Sequence, residues 1–293
     1  MTAREFLETR YAILKDLSAR SVVLYHHTLD RFRDFLGREA ELADLDDLTV
    51  SRFLRWRAST PHRGRLPSPA SVVKDRTQLC AIWRLAAEKR LVGEFPSLAR
   101  KSVPHKIPKA YTLEEMRALL AAASARPGNV GDLPAAWWWR TLLQVAYQTA
   151  ERIGALQALT WGEVDSRTNS VIFLAATRKG RHRDILRPIT PELSAELEQH
   201  RGAPGSLVWP WPYEYHYLWT VFRSMAERAN VRPLGFHGLR KSAASYLAAA
   251  GGDPTRLLDH AKPQTTIRHY IDPTILQEQD SLGLLPRLEP RDN

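Results

Sequence analysis

A basic, proline-containing segment divides the chain and sets the main limit on its fold. The ten residues from Arg100 to Lys109 include two prolines and four Lys or Arg side chains, and their apolar residues follow no period. Proline fixes its own φ angle and disfavours a helical conformation in the residue before it, so this segment predicts an extended linker. Because 293 residues exceed what one hydrophobic core usually fills, we expect a separate domain on each side.

The residues before the linker, 1–99, predict a small all-helical domain. Apolar side chains recur at helical spacing from Leu24 to Leu36, and Gly37 follows as a C-cap. A second helix is predicted to begin near Thr49, and a third to run from about Ser68 to Leu91. We expect roughly four or five helices in this domain.

After a linker placed at residues 100–110, the pattern predicts a second, mainly helical domain at 111–293. Its first helix is marked by Thr112 with a glutamate three residues later, the capping-box signature. The clearest strand pattern, Ser170–Leu174, is joined by a basic turn to a second β run at Ile185–Ile189, which predicts a hairpin. The predicted fold class is therefore α+β: mainly α with a small β-sheet, after an all-α N-terminal domain.

Composition and charge narrow the class of partner. Lys and Arg total 42 against 32 Asp and Glu, a net charge of +10, which favours a polyanionic partner such as nucleic acid. Cys80 is the only cysteine, which excludes internal disulfides and Cys-rich zinc sites, and its apolar surroundings predict a buried, inert thiol. No stretch approaches the ~20 apolar residues of a membrane span, and no signal-peptide core opens the chain, so we expect a cytoplasmic, nucleoid-associated protein.

Four separate segments carry residues suited to chemistry on a phosphate. Arg152 lies in an apolar, helical pattern, where an arginine needs either an internal ion pair or a bound anion. His237 and Arg240 are three residues apart on a predicted helix, so both side chains lie on one face and could bind oxygens of one phosphate. The other two segments are the basic hairpin turn with Lys179, and His260 followed ten residues later by Tyr270.

In this order and spacing, the four segments resemble the tyrosine recombinase, or phage integrase, family. Further resemblance is found in Ala158-Leu159-Thr160-Trp161 after the first arginine and Tyr246-Leu247-Ala248-Ala249-Ala250-Gly251 after the second. Essentially the whole chain is covered: residues 1–99 look like the family's helical core-DNA-binding domain, and the part after the linker looks like its catalytic domain. The resemblance implies a site-specific DNA recombinase of the integrase type.

The resemblance also assigns a role to each candidate residue. Arg152 and Arg240 would hold the non-bridging oxygens of the scissile phosphate, which suits the planar, permanently charged guanidinium. His237 and His260 would complete the phosphate shell and handle the proton of the nucleophile. Tyr270 would be that nucleophile and form a 3′-phosphotyrosyl bond. Because this bond keeps the phosphodiester energy, no metal ion, cofactor or ATP is expected.

The general acid that protonates the departing 5′ oxygen would be Lys179. Alignment of this hairpin with the family leaves Arg178 as an alternative, although an arginine is a poor proton donor. A second alternative concerns the nucleophile, because the nine-residue spacing of many family members would fall on His269 rather than Tyr270. Imidazole is not the family's nucleophile, so Tyr270 is preferred.

Three positions depart from the family's pattern. Ala155 stands three residues after Arg152, where the family usually has an acid. Glu151 directly precedes that arginine, and Asp259 replaces the glycine usual before the second histidine. We expect Glu151 or Glu163 to compensate for the missing acid. Since all six catalytic residue types are present, an active recombinase is favoured over a non-catalytic DNA-binding protein of the same fold or a type IB topoisomerase-like nicking-closing enzyme.

The implied partner is double-stranded DNA, held in a two-domain clamp by a homotetramer on paired sites. Accessory DNA-bending proteins are compatible with this assembly, and no membrane partner is expected. Each protomer would pass a C-terminal segment, Ile271–Leu285, to its neighbour. Trp137–Trp139 are predicted to pack in the core rather than stack on bases. The candidate DNA contacts are Lys74, Arg76, Arg100, Lys101, Lys106, Lys109 and Arg181, and also Arg55 and Arg57 in the first domain.

Overall fold

The structure is a computed structural model that describes residues 1–99, 102–178 and 183–276. It divides into two compact units, Met1–His105 and Lys106–Asn293. Helices make up most of the described chain, and the strands form two small sheets. The predicted fold class, mainly helical with a small sheet, is confirmed.

The first unit is helical in all its longer elements. These are α1 Ala3–Phe6, a π-helical turn Leu7–Tyr11, α2 Ala12–Leu14, α3 Ala19–Leu36, a 3-10 turn Leu42–Asp44, α4 Asp47–Ser59 and α5 Pro69–Glu88. The hydroxyl of Ser18 accepts a hydrogen bond from Ser21 N and caps α3, which ends at Gly37 with φ 74°. Asp46 caps α4 through Leu48 N and Thr49 N, so this helix begins at Asp47 rather than near Thr49.

Aromatic and aliphatic side chains fill the core of the first unit. Phe32, Phe53 and Trp83 are fully buried, and the rings of the two phenylalanines meet edge-on with centroids 5.1 Å apart. Cys80 is buried, as predicted. Burial raises the pKa of its thiol, which keeps it protonated and unreactive at neutral pH.

The second unit begins as the sequence predicts. Its helices are α6 Leu113–Ser124, α7 Ala135–Thr149, α8 Ile153–Gln157, α9 Pro191–Glu198, α10 Tyr215–Arg228, α11 Gly235–Ala249, α12 Pro254–Leu258 and α13 Pro263–Tyr270. Thr112 caps α6 and forms the expected capping box with Glu115. From residue 102 to residue 112 the chain has neither helix nor strand, in agreement with an extended linker.

The predicted hairpin is present and belongs to a three-stranded antiparallel sheet. The strands of the second unit are β1 Asn129–Val130, β2 Leu133–Pro134, β3 Val164–Asp165, β4 Ser170–Phe173 and β5 Ile185–Pro188. The strands β3, β4 and β5 pair in that order, with Phe173 opposite Ile185. The β1–β2 ribbon and β3 were not predicted, because a two-residue strand is too short to show an alternating pattern.

Three consecutive tryptophans lie in the core of the second unit. Trp138 and Trp139 are fully buried and Trp137 is nearly so, which confirms the prediction that they pack rather than stack on bases. The indole N–H of Trp138 donates to Pro210 O at 3.0 Å. Across the described ranges, no helix is long and apolar enough to cross a membrane.

Candidate active site

The first predicted site residue, Arg152, follows an abrupt turn at the end of α7. Ala150 takes the left-handed conformation (φ 51°, ψ 25°), which is unusual for a residue with a Cβ atom. The chain therefore leaves the helix direction, and Arg152 becomes the N-terminal cap position of α8 with its side chain partly exposed. Glu151, between these two residues, is almost completely buried.

His237 and Arg240 lie on the first turns of α11, as the HxxR spacing predicts. Gly238 between them has no room for a side chain, because an added Cβ would come within 2.6 Å of the Tyr111 ring. Tyr111 is in turn bound to α11, since its N–H donates to Ser242 Oγ at 2.7 Å. The helix therefore packs directly on the end of the linker, and this contact sets the direction of both site residues.

Arg240 is buried and connects three elements. Its guanidinium donates to Ala150 O at the end of α7 and, over 2.8 Å, to Leu258 O at the end of α12. The Nε atom has no acceptor among the described residues. Burial, together with the nearby charge of Arg152, lowers the pKa of Arg240 to about 10, so the side chain remains a cation at neutral pH.

Tyr270, the last residue of α13, lies against the other predicted site residues. Its ring centroid is 5.0 Å from that of His237 and 4.7 Å from that of His260, in edge-on contacts. The Cζ atom of Arg240 is 5.4 Å from the same centroid. Segments from three regions of the sequence thus place a phenol, two imidazoles and a guanidinium in contact.

The two histidines of this cluster have different surroundings. Burial, helped by the charges of Lys241, Arg240 and Arg152, lowers the pKa of His237 to about 4, so its ring is neutral at pH 7. The charge of Arg152 contributes to the lowered pKa of both His237 and Arg240, so Arg152 lies near the cluster. The His260 ring is fixed by a 2.9 Å hydrogen bond between its Nδ1 and Thr266 Oγ1 of α13.

Lys179 and three candidate DNA contacts, Arg100, Lys101 and Arg181, lie outside the described residues, and their roles stay predictions. Arg178, the alternative to Lys179, lies within the described residues. The Arg178 side chain is only 1% exposed and pairs with Glu151 and Asp259. A buried guanidinium held by two carboxylates is not suited to protonate a leaving oxygen, which favours Lys179 for that role.

The positions that depart from the family's pattern are explained by their contacts. Ala155 is buried in an apolar environment within α8. Glu163 accepts from Thr160 N at 2.8 Å in a local capping box and lines a small cavity with Ala155, so its compensation for the missing acid stays a prediction. Glu151 lies at the site and contacts Arg178. Asp259 has φ 52° and ψ 48°, a backbone conformation that accounts for the glycine usual in the family.

His269, the alternative nucleophile, does not share the position of Tyr270. It lines a cavity of about 330 Å³ together with Lys106, Lys109 and Lys241. His237 borders the same cavity, which therefore adjoins the site. Lys241 was not among the predicted residues, although its place directly after Arg240 on a helix was a visible signal. Burial lowers its pKa.

The remaining DNA-contact candidates differ in their exposure and in their contacts within the protein. Lys106 and Lys109 are exposed. Lys74 is 3.4 Å from Asp75, and Arg76 donates to Leu98 O. Arg57 was wrongly proposed to reach DNA: it is buried and pairs with Asp75 over 3.0 Å, because an arginine inside a helical core needs a carboxylate partner.

The described part of the predicted exchange segment packs on its own unit. Ile271 is buried and Leu276 packs against a cluster that includes Leu258 and Tyr270. Residues 277–285 of that segment lie outside the described chain. In residues 1–99, 102–178 and 183–276, no group of His, Cys, Asp or Glu side chains could hold a metal ion.

The sequence and the fold are similar to those of known recombinases. The tyrosine recombinase XerD of Mycobacterium leprae (strain TN) is 26% identical over 277 residues, covering 87% of both chains, and XerC of Herpetosiphon aurantiacus is 27% identical over 274 residues, covering 86% of this chain and 84% of its own. Two solved structures share the fold. The XerH recombinase in a post-cleavage complex with palindromic difH has a TM-score of 0.68 at 16% identity, covering 96% of this chain and 85% of that one. A lambda integrase tetramer bound to a Holliday junction has a TM-score of 0.66 at 17% identity, covering 92% and 77%.

A family model settles the assignment that the motifs predicted. The model for the phage integrase family matches residues 109–275, which include all six predicted catalytic residues. That stretch is more than half of the chain and contains the cluster of His237, Arg240, His260 and Tyr270. The chain therefore belongs to the phage integrase family of tyrosine recombinases.

Proposed function

We propose that this protein is a site-specific DNA recombinase that cuts and rejoins strands through a 3′-phosphotyrosyl intermediate at Tyr270. The observation that carries the proposal is the contact of Tyr270 with His237, His260 and Arg240. A phenol needs nearby cations or a base to react at neutral pH, and this cluster contains both types of group.

The residues divide the chemistry among them. Arg152 and Arg240 hold the non-bridging oxygens of the scissile phosphate and stabilise the charge that develops there in the transition state. The phenolic oxygen of Tyr270 attacks phosphorus while the bond to the 5′ oxygen breaks. His237 and His260, whose rings adjoin that of Tyr270, take the phenolic proton, and Lys179 donates a proton to the departing 5′ oxygen.

The second half of the reaction reverses the first. A 5′-hydroxyl of another strand attacks the phosphotyrosyl bond and releases Tyr270, so a strand is exchanged without ATP or a metal ion. We infer that the substrate is double-stranded DNA, held between a core-binding domain at 1–99 and a catalytic domain at 111–293. The assembly would be a tetramer on paired sites, like the lambda integrase tetramer on its Holliday junction, and it would act on DNA in the cytoplasm.

Covalent trapping on random DNA tests this proposal and identifies the DNA site in the same experiment. The purified protein is mixed with a library of nicked duplexes of random sequence, in which loss of a short fragment after cleavage prevents rejoining. We expect a covalent adduct that survives denaturing gel electrophoresis, that EDTA does not prevent, and whose sequenced DNA defines one site. Tyr270→Phe should give no adduct, whereas Tyr246→Phe, the same change at a tyrosine of α11 outside the cluster, should give the normal amount.

The other outcomes separate the alternatives. Equal DNA binding by wild type and Tyr270→Phe, with no adduct from either, would indicate a DNA-binding protein without catalysis. Relaxation of plasmids that lack any enriched sequence would indicate a topoisomerase-like enzyme. Adduct formation that survives in Tyr270→Phe would assign the nucleophile to another residue.

A further inference from the structure

A buried ion-pair network beside the site has no part in the chemistry proposed above. We call it the Arg178 network; it consists of Glu151, Arg178 and Asp259. Arg178 Nη2 donates to Glu151 Oε1 at 2.7 Å, and Nη1 donates to Asp259 Oδ2 at 3.2 Å. The side chains of Arg178 and Glu151 are each 1% exposed and that of Asp259 is 17% exposed, so the contacts are shielded from water.

Each member of the Arg178 network directly precedes a proposed site residue in the sequence. Glu151 precedes Arg152 and accepts from its backbone N–H at 3.3 Å, and Asp259 precedes His260. Arg178 directly precedes Lys179 in the sequence. The guanidinium of Arg178 therefore joins three segments that are far apart in the chain, each at the residue before a proposed site residue.

Two members of the network are also the positions that depart from the family's pattern. Asp259 takes a left-handed conformation that glycine adopts at lower cost, so its side chain needs a compensating interaction. It finds one in Arg178 and, at 3.0 Å, in Arg183. Burial alone would raise the pKa of Asp259, but the Arg183 hydrogen bond and the Arg178 charge outweigh burial and keep the carboxylate ionised.

The charges of the network are mutually dependent. Arg178 is located between two carboxylates, and Arg187 lies 3.9 Å from Glu151 as a second cation. Removal of one partner would leave another buried and uncompensated, which is far more costly than removal of the whole set. A network of this kind is a poor source of stability but a firm way to fix distances.

We propose that Arg178 is a positioning residue, which through Glu151 and Asp259 joins its own segment to the turns that carry Arg152 and His260, and that protonation of the departing 5′ oxygen by the next residue, Lys179, depends on this link. This inference rests on the proposed function. It assigns to Glu151 and Asp259 a shared role that neither position has in the family's pattern. It also distinguishes Arg178 from the residues that touch the phosphate.

A change of leaving group separates positioning of the acid from support of the fold. In one duplex, built on the sequence trapped by the wild type, the scissile phosphate has its normal 5′ oxygen; in a second duplex, sulfur replaces that oxygen. Alkoxide departure needs a proton, whereas a thiolate, with a thiol pKa of about 8.5, departs without one. Single-turnover cleavage of both duplexes is compared for wild type, Arg178→Met, Arg178→Lys and Lys179→Ala.

We expect Arg178→Met to cleave the oxygen duplex about 100-fold more slowly and the sulfur duplex within about threefold of wild type, the pattern of a lost general acid. Lys179→Ala should show the same pattern, and Arg178→Lys should recover part of the rate on oxygen. Arg167→Met, which removes a 90% exposed arginine in the turn between β3 and β4, should leave both rates unchanged.

Equal slowing of the two duplexes by Arg178→Met would overturn the inference and leave Arg178 a purely structural residue. Should Arg178→Met fail to fold, the triple variant Glu151→Gln, Arg178→Met, Asp259→Gly removes all three charges together and is measured in its place, with the same two outcomes. A wild-type protein that cleaves neither duplex would instead contradict the proposed function, because that result does not involve Arg178.

Discussion

The ring of Tyr270 lies over the guanidinium of Arg240, with 5.4 Å between the ring centroid and Cζ. Both side chains are buried, and a cation–π contact of this kind is worth about 0.5–2 kcal/mol. The proposed nucleophile thus lies against the cation proposed to bind the phosphate.

Replacement of Arg240 should affect folding and catalysis together. In Arg240→Lys a single ammonium cannot donate to Ala150 O and Leu258 O in the fork geometry of the guanidinium. One buried carbonyl would lose its partner, and we expect the free energy of unfolding to fall by about 1–3 kcal/mol, with loss of the covalent adduct. Urea unfolding and trapping measure the two effects.

The exposed Arg223 provides the control for this change, since Arg223→Lys should alter stability by less than about 0.5 kcal/mol. An Arg240→Lys protein with wild-type stability and wild-type adduct yield would show that the two carbonyl contacts are dispensable.

The ionisation of His237 gives a prediction on pH. Its pKa is about 4 in the folded protein against 6.5 for the free side chain, so the unfolded chain binds the extra proton between these values. The free energy of unfolding should therefore fall as the pH drops from about 6.5 towards 4, and this contribution should be fully present above that window. NMR titration of labelled histidines measures the pKa directly.

Arg152→Gln should raise the pKa of His237, because it removes one of the nearby cations, but burial should still keep it below 6.5. A His237 resonance that titrates at or above 6.5 in the wild type would show that the ring is neither desolvated nor close to these cations.

Asp272 joins the end of the linker to the segment after the nucleophile. Its Oδ2 accepts from Ala110 N at 2.8 Å, and its own N–H donates to Ser245 Oγ, which in turn donates to Tyr270 O. We expect Asp272→Ala to leave the buried Ala110 N–H without an acceptor, at a cost of about 1–3 kcal/mol, and to slow adduct formation.

Asp272→Asn keeps an oxygen acceptor at nearly the same place and should retain most of the stability and of the adduct yield. The comparison requires thermal unfolding and trapping of both variants. If Asp272→Ala and Asp272→Asn behave alike, the negative charge rather than the hydrogen bond is what matters at this position.

Two neighbouring tryptophans should differ in their response to the same change. Trp138 donates its indole N–H to Pro210 O, whereas the buried N–H of Trp139 has no acceptor among the described residues. Trp138→Phe should therefore cost about 1 kcal/mol more in the free energy of unfolding than Trp139→Phe, beyond the loss of volume common to both. Neither change should alter adduct formation by the folded protein. Unchanged adduct formation would contradict a role of these rings in base stacking.

Local sequence signals predicted the fold well where the structure depends on neighbouring residues. Thr112 with Glu115, and Gly37 at φ 74°, fix helix ends through contacts within one turn, and the run of β-branched and aromatic residues in β4 is visible in its sequence. The predicted start of α4, near Thr49, was late because Thr49 was used as the start signal. The residue that caps the helix is Asp46, three positions earlier. The two-residue strands were missed because their pairing depends on distant partners.

The site was predicted less completely, for a related reason. The residue types came from motifs and from the family resemblance, but periodicity does not report contacts between distant segments. Arg178 meets Glu151 across 27 positions and Asp259 across 81, and no local pattern indicates either pair.

The end of α13 at Tyr270 distinguishes the proposed nucleophile from its neighbour His269. Successive residues of a helix differ in direction by about 100°, so His269 points to the neighbouring cavity while Tyr270 points to Arg240. Rotational phase, rather than the count of residues from His260, therefore selects the phenol. The turn between His260 and Pro263 can gain a residue without misdirecting it, whereas an insertion inside the helix would turn another side chain towards the DNA.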